Sequence, residues 1–238
     1  TLKGKKFIFL QHGVIMHDLS TWLNNVSKIS LFCTSTLPEY NFISNINSPY
    51  KYSHEVKLTG LARHDSLLEK SKKYTKTKNI LIMPTWRNYI VGALKQGSVQ
   101  REINPNFVET DYFKYWYAFL HSKELRIVSE RYGYSITFIP HPNISDYLSL
   151  FKIPDYIESP SNTKNISIND SVAKAKIMIT DYSSISFDMA FLHKLTLYYQ
   201  FDENEFFSGN HTSKQGYFSY REDGFGPIVK TQEELLNT

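Results

Sequence analysis

Residues 175–199 have the sequence AKIMITDYSSISFDMAFLHKLTLYY and place three structural elements in direct succession. The apolar run Ile177–Thr180 predicts a buried strand, the pattern from Ser183 to Lys194 predicts an amphipathic helix, and Leu195–Gln200 predicts another strand. Parallel sheets are built from this strand–helix–strand unit, so the stretch favours an α/β fold.

Between the first strand and the helix stand an acid, a phenol and two hydroxyls, which belong to Asp181, Tyr182, Ser183 and Ser184. A helix N-terminus carries N–H groups without intrahelical partners and a partial positive charge. Ser183 and Ser184 therefore either cap the helix with their own oxygens or help those N–H groups to hold a phosphate. The residues alone leave both interpretations open.

The same alternation of apolar runs and amphipathic stretches continues along most of the chain. Further strands are predicted in KFIFLQHG (6–13), ISLFCTST (29–36), HEVKLTG (54–60), NILIMP (79–84) and YSITFIPHPN (134–143). Helices are predicted from Pro38, from near Asp65, from Asp111 through Gly133 and over 168–176. This alternation predicts doubly wound parallel sheets, in which ligands bind beyond the carboxyl ends of the strands. The polar residues 69–77 separate two such units and are predicted to form a linker.

The composition fits a globular protein with a sizeable core. Of the 238 residues, 41% are hydrophobic and 15% are aromatic. The single Cys33 excludes an intrachain disulfide, and no apolar run approaches the length of about 18 residues expected of a membrane helix. The net charge of +4 suits a phosphate-bearing ligand or an anionic membrane surface. Because the basic residues are scattered and no base-stacking platform is evident, nucleic acid is not an expected partner.

Polar residues collect at the predicted carboxyl ends of the strands. They are Gln11, His12 and Gly13; Thr34 and Ser35; Gly60 through Asp65; Thr85, Trp86 and Arg87; His141; and Asp181 through Ser184. Because the strand ends open on one crevice, these groups together predict a site for an anionic, phosphorylated ligand. His12 and His141 each follow a strand directly, one on either side of the predicted linker, which favours catalytic roles. Arg63 and Arg87 either neutralise phosphate or form surface salt bridges.

Other catalytic templates are missing from the sequence. It contains no G-x-G-x-x-G, G-x-x-x-x-G-K-[ST], G-x-S-x-G or H-E-x-x-H motif. His12, His17 and Cys33 lack further metal ligands at the usual spacing. We therefore expect neither a metal nor a cofactor.

The motifs HG, GLARHD, PTWR, HP, ITDYSSISFDMAFLHK and GPIVKTQEEL occur in one order along the chain. That order resembles the CDP-glycerol glycerophosphotransferase family, the primases and polymerases of teichoic acid. The resemblance implies a GT-B architecture, in which two Rossmann-like, doubly wound parallel-sheet domains enclose an active-site cleft. It implies that the first domain is truncated and spans residues 1–68, that 69–77 form the linker, and that 78–238 form the donor-binding domain.

The resemblance also implies a reaction. A polyol phosphate, of glycerol or ribitol, moves from a CDP-activated donor to a hydroxyl of a lipid-linked or growing wall or capsule polymer, and CMP leaves. The acceptor is then a polyol phosphate or glycan chain, and the enzyme acts in the cytoplasm at the inner face of the bacterial membrane. No cofactor and no nucleic acid take part.

By the same resemblance, His12 is the general base and His141 stabilises charge on the transferring phosphoryl group. The donor's phosphate or polyol end is expected against Arg63, Thr85, Arg87, Asp181, Ser183 and Ser184. Structural or orienting roles are expected for Gly13, Asp65 and Asp188. On its helix, Asp188 either orients a neighbour or faces a partner on the core side.

Departures from the family pattern bear on the substrate. Residues 11–16, QHGVIM, stand where the family commonly has Trp-His-Gly-Thr-Pro-Leu-Lys, and ARHD at 62–65 stands where it has Pro-Arg-Asn-Asp. The stretch between Arg87 and Asp111 is long, so substrate specificity can diverge there. Two other functions stay open: a GT-B glycosyltransferase that uses a nucleotide sugar, and a non-catalytic module of a larger enzyme.

Overall fold

The computed structural model describes residues 4–25, 28–94, 101–163, 166–208 and 214–238, which form two parallel β-sheets with helices packed on them. The first sheet has the strand order β1-β2-β3, with β1 at Ile8–Phe9, β2 at Leu31–Thr34 and β3 at Val56–Leu58. The helices α1 (Ser20–Leu23) and α2 (Leu37–Ser44) lie between these strands in the chain. The apolar run before His12 predicted a buried strand, but β1 is a short edge strand whose Ile8 is 50% exposed.

The second sheet has six parallel strands in the order β6-β5-β4-β7-β8-β9. Its strands are β4 (Asn79–Met83), β5 (Ser135–Phe138), β6 (Ile157–Glu158), β7 (Ile177–Thr180), β8 (Leu195–Tyr199) and β9 (Ile228–Val229). All five residues of β4 are buried, as expected for a central strand covered on both faces. The strand order reverses between β4 and β7, so the crevice of this topology lies beyond the ends of these two strands.

Seven further helices follow the first sheet in the described part of the chain. They are α3 (Ala62–Ser71), α4 (Asp111–Leu120), α5 (Lys123–Tyr132), α6 (Ile168–Lys174), α7 (Ile185–Phe191), α8 (Glu203–Phe206) and α9 (Gln232–Asn237). The aromatic face of α4, with Tyr112, Trp116 and Phe119, is buried in the core of the second sheet.

The single helix predicted from Asp111 through Gly133 is instead two helices. After α4 ends, the Ser122 hydroxyl accepts a hydrogen bond from the Leu125 backbone N–H (3.1 Å) and caps α5. Gly133 ends α5 with a φ of 68°, a conformation that glycine adopts without steric cost. The continuous helical pattern of side chains hides this break, because both helices face the same core.

Helix α3 occupies part of the predicted linker. It begins at Ala62 rather than near Asp65, continues through Ser71, and is followed by the 3-10 turn Lys72–Tyr74. It packs against α6 of the second sheet, where Lys70 Nζ lies 2.9 Å from Asp170 Oδ1. The polar segment therefore begins as helix because contact with a neighbouring helix stabilises it.

The two sheets share an apolar cluster. Val14 and Met16, in the loop after β1, pack with Tyr182, Phe206 and Tyr220, and all five side chains are buried. Each buried side chain of this size contributes roughly 1.5–3 kcal/mol to stability. The loop after β1 is therefore held in place by residues of the second sheet as well as by residues of the first.

Two smaller features complete the comparison with the sequence. The strands β6 and β9 were not predicted, because two residues are too few to show an alternating pattern. The long stretch between Arg87 and Asp111, where substrate specificity was expected to diverge, includes residues 95–100, which lie outside the described residues. Beside them, Leu94 and Arg101 form an antiparallel bridge.

Candidate functional site

A cleft between the two sheets brings six of the predicted site residues together. Its cavity has a volume of about 410 Å³, and the residues concerned are His12, Gly13, Thr85, His141, Ser183 and Ser184. They follow the strands β1, β4, β5 and β7, whose carboxyl ends face this cleft. The cleft lies at the predicted crevice.

The loop after β1 exposes His12 to the cleft. Gln11, before it, has a φ of 61°, and its Nε2 donates a hydrogen bond to the Cys33 carbonyl at the end of β2. A left-handed conformation at such a residue costs of the order of 1–3 kcal/mol, and it persists where the surroundings enforce it. His12 itself is exposed, and no described residue forms a hydrogen bond or ion pair with it. Its imidazole is therefore open to a ligand.

Gly13 allows this loop to approach the start of α7. A Cβ atom at Gly13 would lie 2.8 Å from Ser184 Oγ, closer than carbon and oxygen normally approach. The lack of a side chain therefore lets the first sheet's loop and the second sheet's hydroxyls form one wall of the cleft.

His141 is held as a neutral imidazole with a defined tautomer. The Asn143 backbone N–H donates to His141 Nδ1 (3.1 Å), so Nδ1 carries no proton. Burial lowers the pKa of His141 to about 4, which keeps the ring neutral near pH 7. The ring stacks on Trp86 with centroids 5.9 Å apart. The proton of the neutral ring must then be on Nε2, which makes His141 a hydrogen-bond donor.

The hydroxyls at the ends of β4 and β7 line the same cavity. Ser183 Oγ accepts a hydrogen bond from the Ile185 N–H (3.3 Å), whereas the Ser184 side chain caps nothing in α7. The predicted cap is therefore supplied by Ser183 alone. Thr85 Oγ1 is buried and has no hydrogen-bond partner in the described part of the chain. Ser184 thus keeps its hydroxyl available for a ligand, whereas the Thr85 hydroxyl is covered by the protein.

Arg87 and Asp181 are fully buried and do not reach the cleft. Arg87 NH2 lies 2.9 Å from Asp181 Oδ2, and Arg87 Nε lies 2.7 Å from Asp202 Oδ2. Burial alone disfavours a charged guanidinium, but the two carboxylates raise the pKa of Arg87 well above its usual value. With no exposed atom on either side chain, the predicted contact of Arg87 and Asp181 with phosphate is corrected to a structural role.

This buried group positions residues that do line the cleft. Asp181 Oδ1 accepts hydrogen bonds from the backbone N–H groups of Thr85 (2.8 Å) and Tyr182 (2.6 Å). The Tyr182 hydroxyl donates to Asp202 Oδ1 (3.2 Å). Asp202 received no role from the sequence patterns, although it lies three residues after β8, as Ser183 lies three residues after β7. Extending the rule of polar strand ends to β8 would have found it.

Arg63 and Asp188 form a second group away from the cleft cavity. Arg63 NH1 lies 2.5 Å from Asp188 Oδ2, and His64 Nε2 lies 2.8 Å from Asp188 Oδ1. These contacts join α3 to α7, and Asp188 is only 2% exposed. Arg63 NH1 is thus paired with a carboxylate, whereas Arg63 Nε and NH2 have no hydrogen-bond partner among the described residues, so the phosphate contact of Arg63 stays a prediction. Asp188 therefore faces partners on the core side, which is one of the two roles considered for it. Asp65 is exposed and borders a different cavity.

His17 is a cleft residue to which the sequence assigned no catalytic or binding role. It lines the cavity, is 7% exposed, and lies with its Nε2 3.2 Å from the Tyr220 hydroxyl. Burial lowers the pKa of His17 to about 4. The aromatic rings of Phe206 and Phe207 lie beside it. A neutral, buried imidazole in this setting stabilises the wall of the cleft.

The described residues contain no metal centre and no helix suited to a membrane. No group of three or more His, Cys, Asp or Glu side chains among them is arranged to hold a metal ion. None of the described helices has the length and apolar character needed to cross a membrane.

Comparisons with known proteins gave a family match and similar proteins. The family model of CDP-glycerol:poly(glycerophosphate) glycerophosphotransferase matches residues 2–238. The minor teichoic acid biosynthesis protein GgaB of Bacillus subtilis is 37% identical over 233 residues, which cover 98% of this chain and 24% of that protein. The teichoic acid poly(ribitol-phosphate) polymerase of Bacillus spizizenii is 24% identical over 104 residues, which cover 39% of this chain and 16% of that protein.

A solved structure has the same fold. The wall teichoic acid polymerase TagF superimposes with a TM-score of 0.65 at 18% identity, covering 98% of this chain and 58% of that chain. This likeness confirms the predicted fold class of parallel sheets with flanking helices. The chain thus spans about a quarter of the GgaB length and somewhat more than half of the TagF chain.

Proposed function

Because the chain belongs to the CDP-glycerol:poly(glycerophosphate) glycerophosphotransferase family, we propose that it transfers a polyol phosphate from a CDP-activated donor to a hydroxyl of a growing wall or capsule polymer. The observation that carries this proposal is the meeting of His12 and His141 in one cleft with Ser183 and Ser184 of the second sheet. The two histidines follow strands of different sheets. Catalysis in this proposal therefore requires both sheets.

The second sheet supplies the donor site in this proposal. The hydroxyls of Ser183 and Ser184, beside Thr85 in the lining, hydrogen-bond to the donor's phosphate oxygens. The Nε2–H of neutral His141 donates to the oxygen that gains charge as the phosphoryl group is transferred. Such fixed donors supply most of the catalysis in phosphoryl transfer, because little covalent chemistry is left for the protein.

His12 acts as the general base. The acceptor oxygen forms a bond to the donor's β-phosphorus while the bond between that phosphorus and the bridging oxygen breaks. The acceptor proton passes to the His12 imidazole, and the bridging oxygen leaves with CMP. His12 is suited to this role because its ring is exposed to the cleft and unengaged by the described residues.

Glycerol phosphate and ribitol phosphate are both candidate groups for transfer. The family description names CDP-glycerol, and one relative is named as a poly(ribitol-phosphate) polymerase. A variant of the TagF polymerase was solved after soaking with CDPG, and it superimposes with a TM-score of 0.64. A lipid-linked acceptor and action at the inner face of the membrane belong to the same proposal, supported by the net charge of +4.

Calorimetry on the purified 238-residue chain tests the donor. CDP-glycerol, CDP-ribitol, CMP and UDP-glucose are titrated in turn, and Ser183→Ala/Ser184→Ala serves as the site variant. Binding of a CDP-polyol that the double variant weakens supports the proposal and identifies the donor. Binding of UDP-glucose alone would move the chain to the nucleotide-sugar transferases, and a lack of binding by both CDP-polyols would contradict the proposal for this chain.

A further inference from the structure

A second cavity, with a volume of about 780 Å³, adjoins the cleft and has no part in the donor chemistry. It opens beside Thr36 and Gly60, after β2 and β3, and its other walls are α7 and residues 217–225. Val14 lines both cavities. Because Val14 is two residues from His12 and consecutive Cα atoms are about 3.8 Å apart, the two Cα atoms lie within roughly 7.6 Å. The two cavities therefore meet at Val14, whose Cα lies close to that of His12.

Aromatic rings form much of the wall of this second cavity. Phe191 is 39% exposed, and one face of its ring stacks on His64, with centroids 4.4 Å apart and an interplanar angle of 18°. Tyr217 and Phe225 are half-buried at the same cavity. The face of an aromatic ring carries partial negative charge and attracts the C–H groups of a sugar ring. Such rings with a few polar groups between them are typical of small-ligand sites.

The charge of the second cavity differs from that of a phosphate site. Asp65 and Asp223 supply two carboxylates, and its described lining contains neither Lys nor Arg. The imidazole of His64 is already held by Asp188 at 2.8 Å. The Asp65 carboxylate makes no hydrogen bond or ion pair with another described residue. Carboxylates accept hydrogen bonds from hydroxyls and repel phosphates, so the cavity suits an uncharged, hydroxyl-rich ligand.

We propose that this cavity binds an uncharged pyranose ring of the acceptor and presents one of its hydroxyls to His12. The inference rests on the proposed function, because it identifies the acceptor of that same transfer. A chain of glycerol phosphate alone carries a charge on every repeat and lacks a ring to place against Phe191. The acceptor end bound here is therefore a sugar residue.

Saturation-transfer difference NMR on the purified chain tests the site, with methyl β-D-glucopyranoside as the neutral probe and glycerol 3-phosphate as the anionic one. The site variants are Phe191→Ala, Phe191→Leu and Asp65→Asn. Their matched controls are Tyr132→Ala and Asp155→Asn, which change exposed residues outside the cavity. We expect the pyranoside to bind the parent chain and both controls. Each site variant should weaken that binding about tenfold, equivalent to 1.4 kcal/mol.

The leucine variant keeps an apolar side chain against His64, so it separates loss of the ring face from loss of folding. CDP-glycerol binding by calorimetry should be unchanged in all three site variants. Absence of pyranoside binding while CDP-glycerol binds would overturn this inference and leave the proposed function intact. Pyranoside binding without CDP-polyol binding would overturn the acceptor role together with the proposed function.

Two other occupants of the cavity are outcomes of the same experiment. Glycerol 3-phosphate binding that depends on Phe191 and Asp65 would show an anion site and overturn the assignment to a neutral sugar. A concentration-dependent dimer, seen by sedimentation and abolished by Phe191→Ala, would show that a second copy of the chain covers the cavity. That result would overturn the assignment as well.

Discussion

The polar residues that follow β1 and β7 differ in burial and in pairing. After β7, Asp181 is fully buried in an ion pair with Arg87, whereas after β1 His12 is exposed to the cleft and has no partner among the described residues. Asp181 directly follows β7, His12 lies three residues after β1, and both belong to motifs of the same family. Polar residues at strand ends thus belong to two groups, one that supports the site from within the core and one that faces the ligand.

Replacing the exposed histidine should have the largest effect. We expect His12→Ala to lower CMP release by roughly 10²–10⁴-fold, because a positioned general base contributes about that much. The unfolding midpoint should stay near that of the parent chain, since no described residue depends on the imidazole. His54→Ala is the matched control, because the side chain of His54 is 86% exposed and lies outside the cleft. An unchanged rate in His12→Ala would remove the proposed base.

Replacing the buried arginine should instead act on stability. Arg87→Met leaves Asp181 and Asp202 buried without their cation, so we expect the free energy of unfolding to fall by about 3–5 kcal/mol. Urea unfolding followed by circular dichroism measures this. Arg126→Met, which removes the surface pair with Glu130, should change the unfolding curve little. A stable Arg87→Met chain that fails only in donor binding would return Arg87 to the ligand site.

The buried His17 should make stability depend on pH. Its pKa is lowered to about 4 in the folded chain, against about 6.5 when unfolded, so the unfolded state binds more protons between these values. The stability contributed by the neutral ring is present at pH 7 and is lost as the pH falls towards 4. From about pH 7.5 to pH 5 we expect a loss of roughly 2 kcal/mol from this residue.

His17→Phe should remove that part of the pH dependence, measured by urea unfolding at the two pH values. His141, whose pKa is also lowered to about 4, contributes a similar loss and remains in the variant. His54→Ala should leave the dependence as it is in the parent chain. An identical pH dependence in His17→Phe and the parent would show that His17 is not a buried neutral group.

Replacing the two serines should have the smallest effect. We expect Ser183→Ala/Ser184→Ala to weaken donor binding about tenfold, or 1.4 kcal/mol, because two hydroxyl donors to the phosphate are lost. Calorimetry with the CDP-polyol measures this, and Ser66→Ala/Ser145→Ala, at exposed positions, is the control. Equal donor affinity in both double variants would exclude the serine hydroxyls from the donor site.

Much of the fold follows from local patterns. The strand–helix–strand unit at 175–199, the central strand at 79–83 and the doubly wound parallel class were all predictable, because a buried strand needs a continuous apolar run. The break between α4 and α5 and the strands β6 and β9 were not. The first depends on one capping serine within a continuous amphipathic pattern, and the others are too short to show a pattern.

The place of the site at the strand ends was predictable from the sequence. Which of its polar residues face the ligand and which bind other residues of the protein was not. Arg63 lies five residues after β3 and Arg87 lies four residues after β4, and both bind carboxylates of the protein itself. Their partners, Asp188 for Arg63 and Asp202 for Arg87, lie more than a hundred residues away along the chain. No local pattern reports a contact at that separation.

The sequence by itself determined the class of fold, the motifs of the family and the edge of each sheet at which polar groups collect. Those properties depend on residue type and spacing along a short stretch. The tertiary structure alone decided which polar groups are buried, which carboxylates pair with Arg63 and Arg87 and which second cavity adjoins the cleft. These depend on neighbours brought together from distant parts of the chain, because burial and pairing are properties of packing rather than of sequence order.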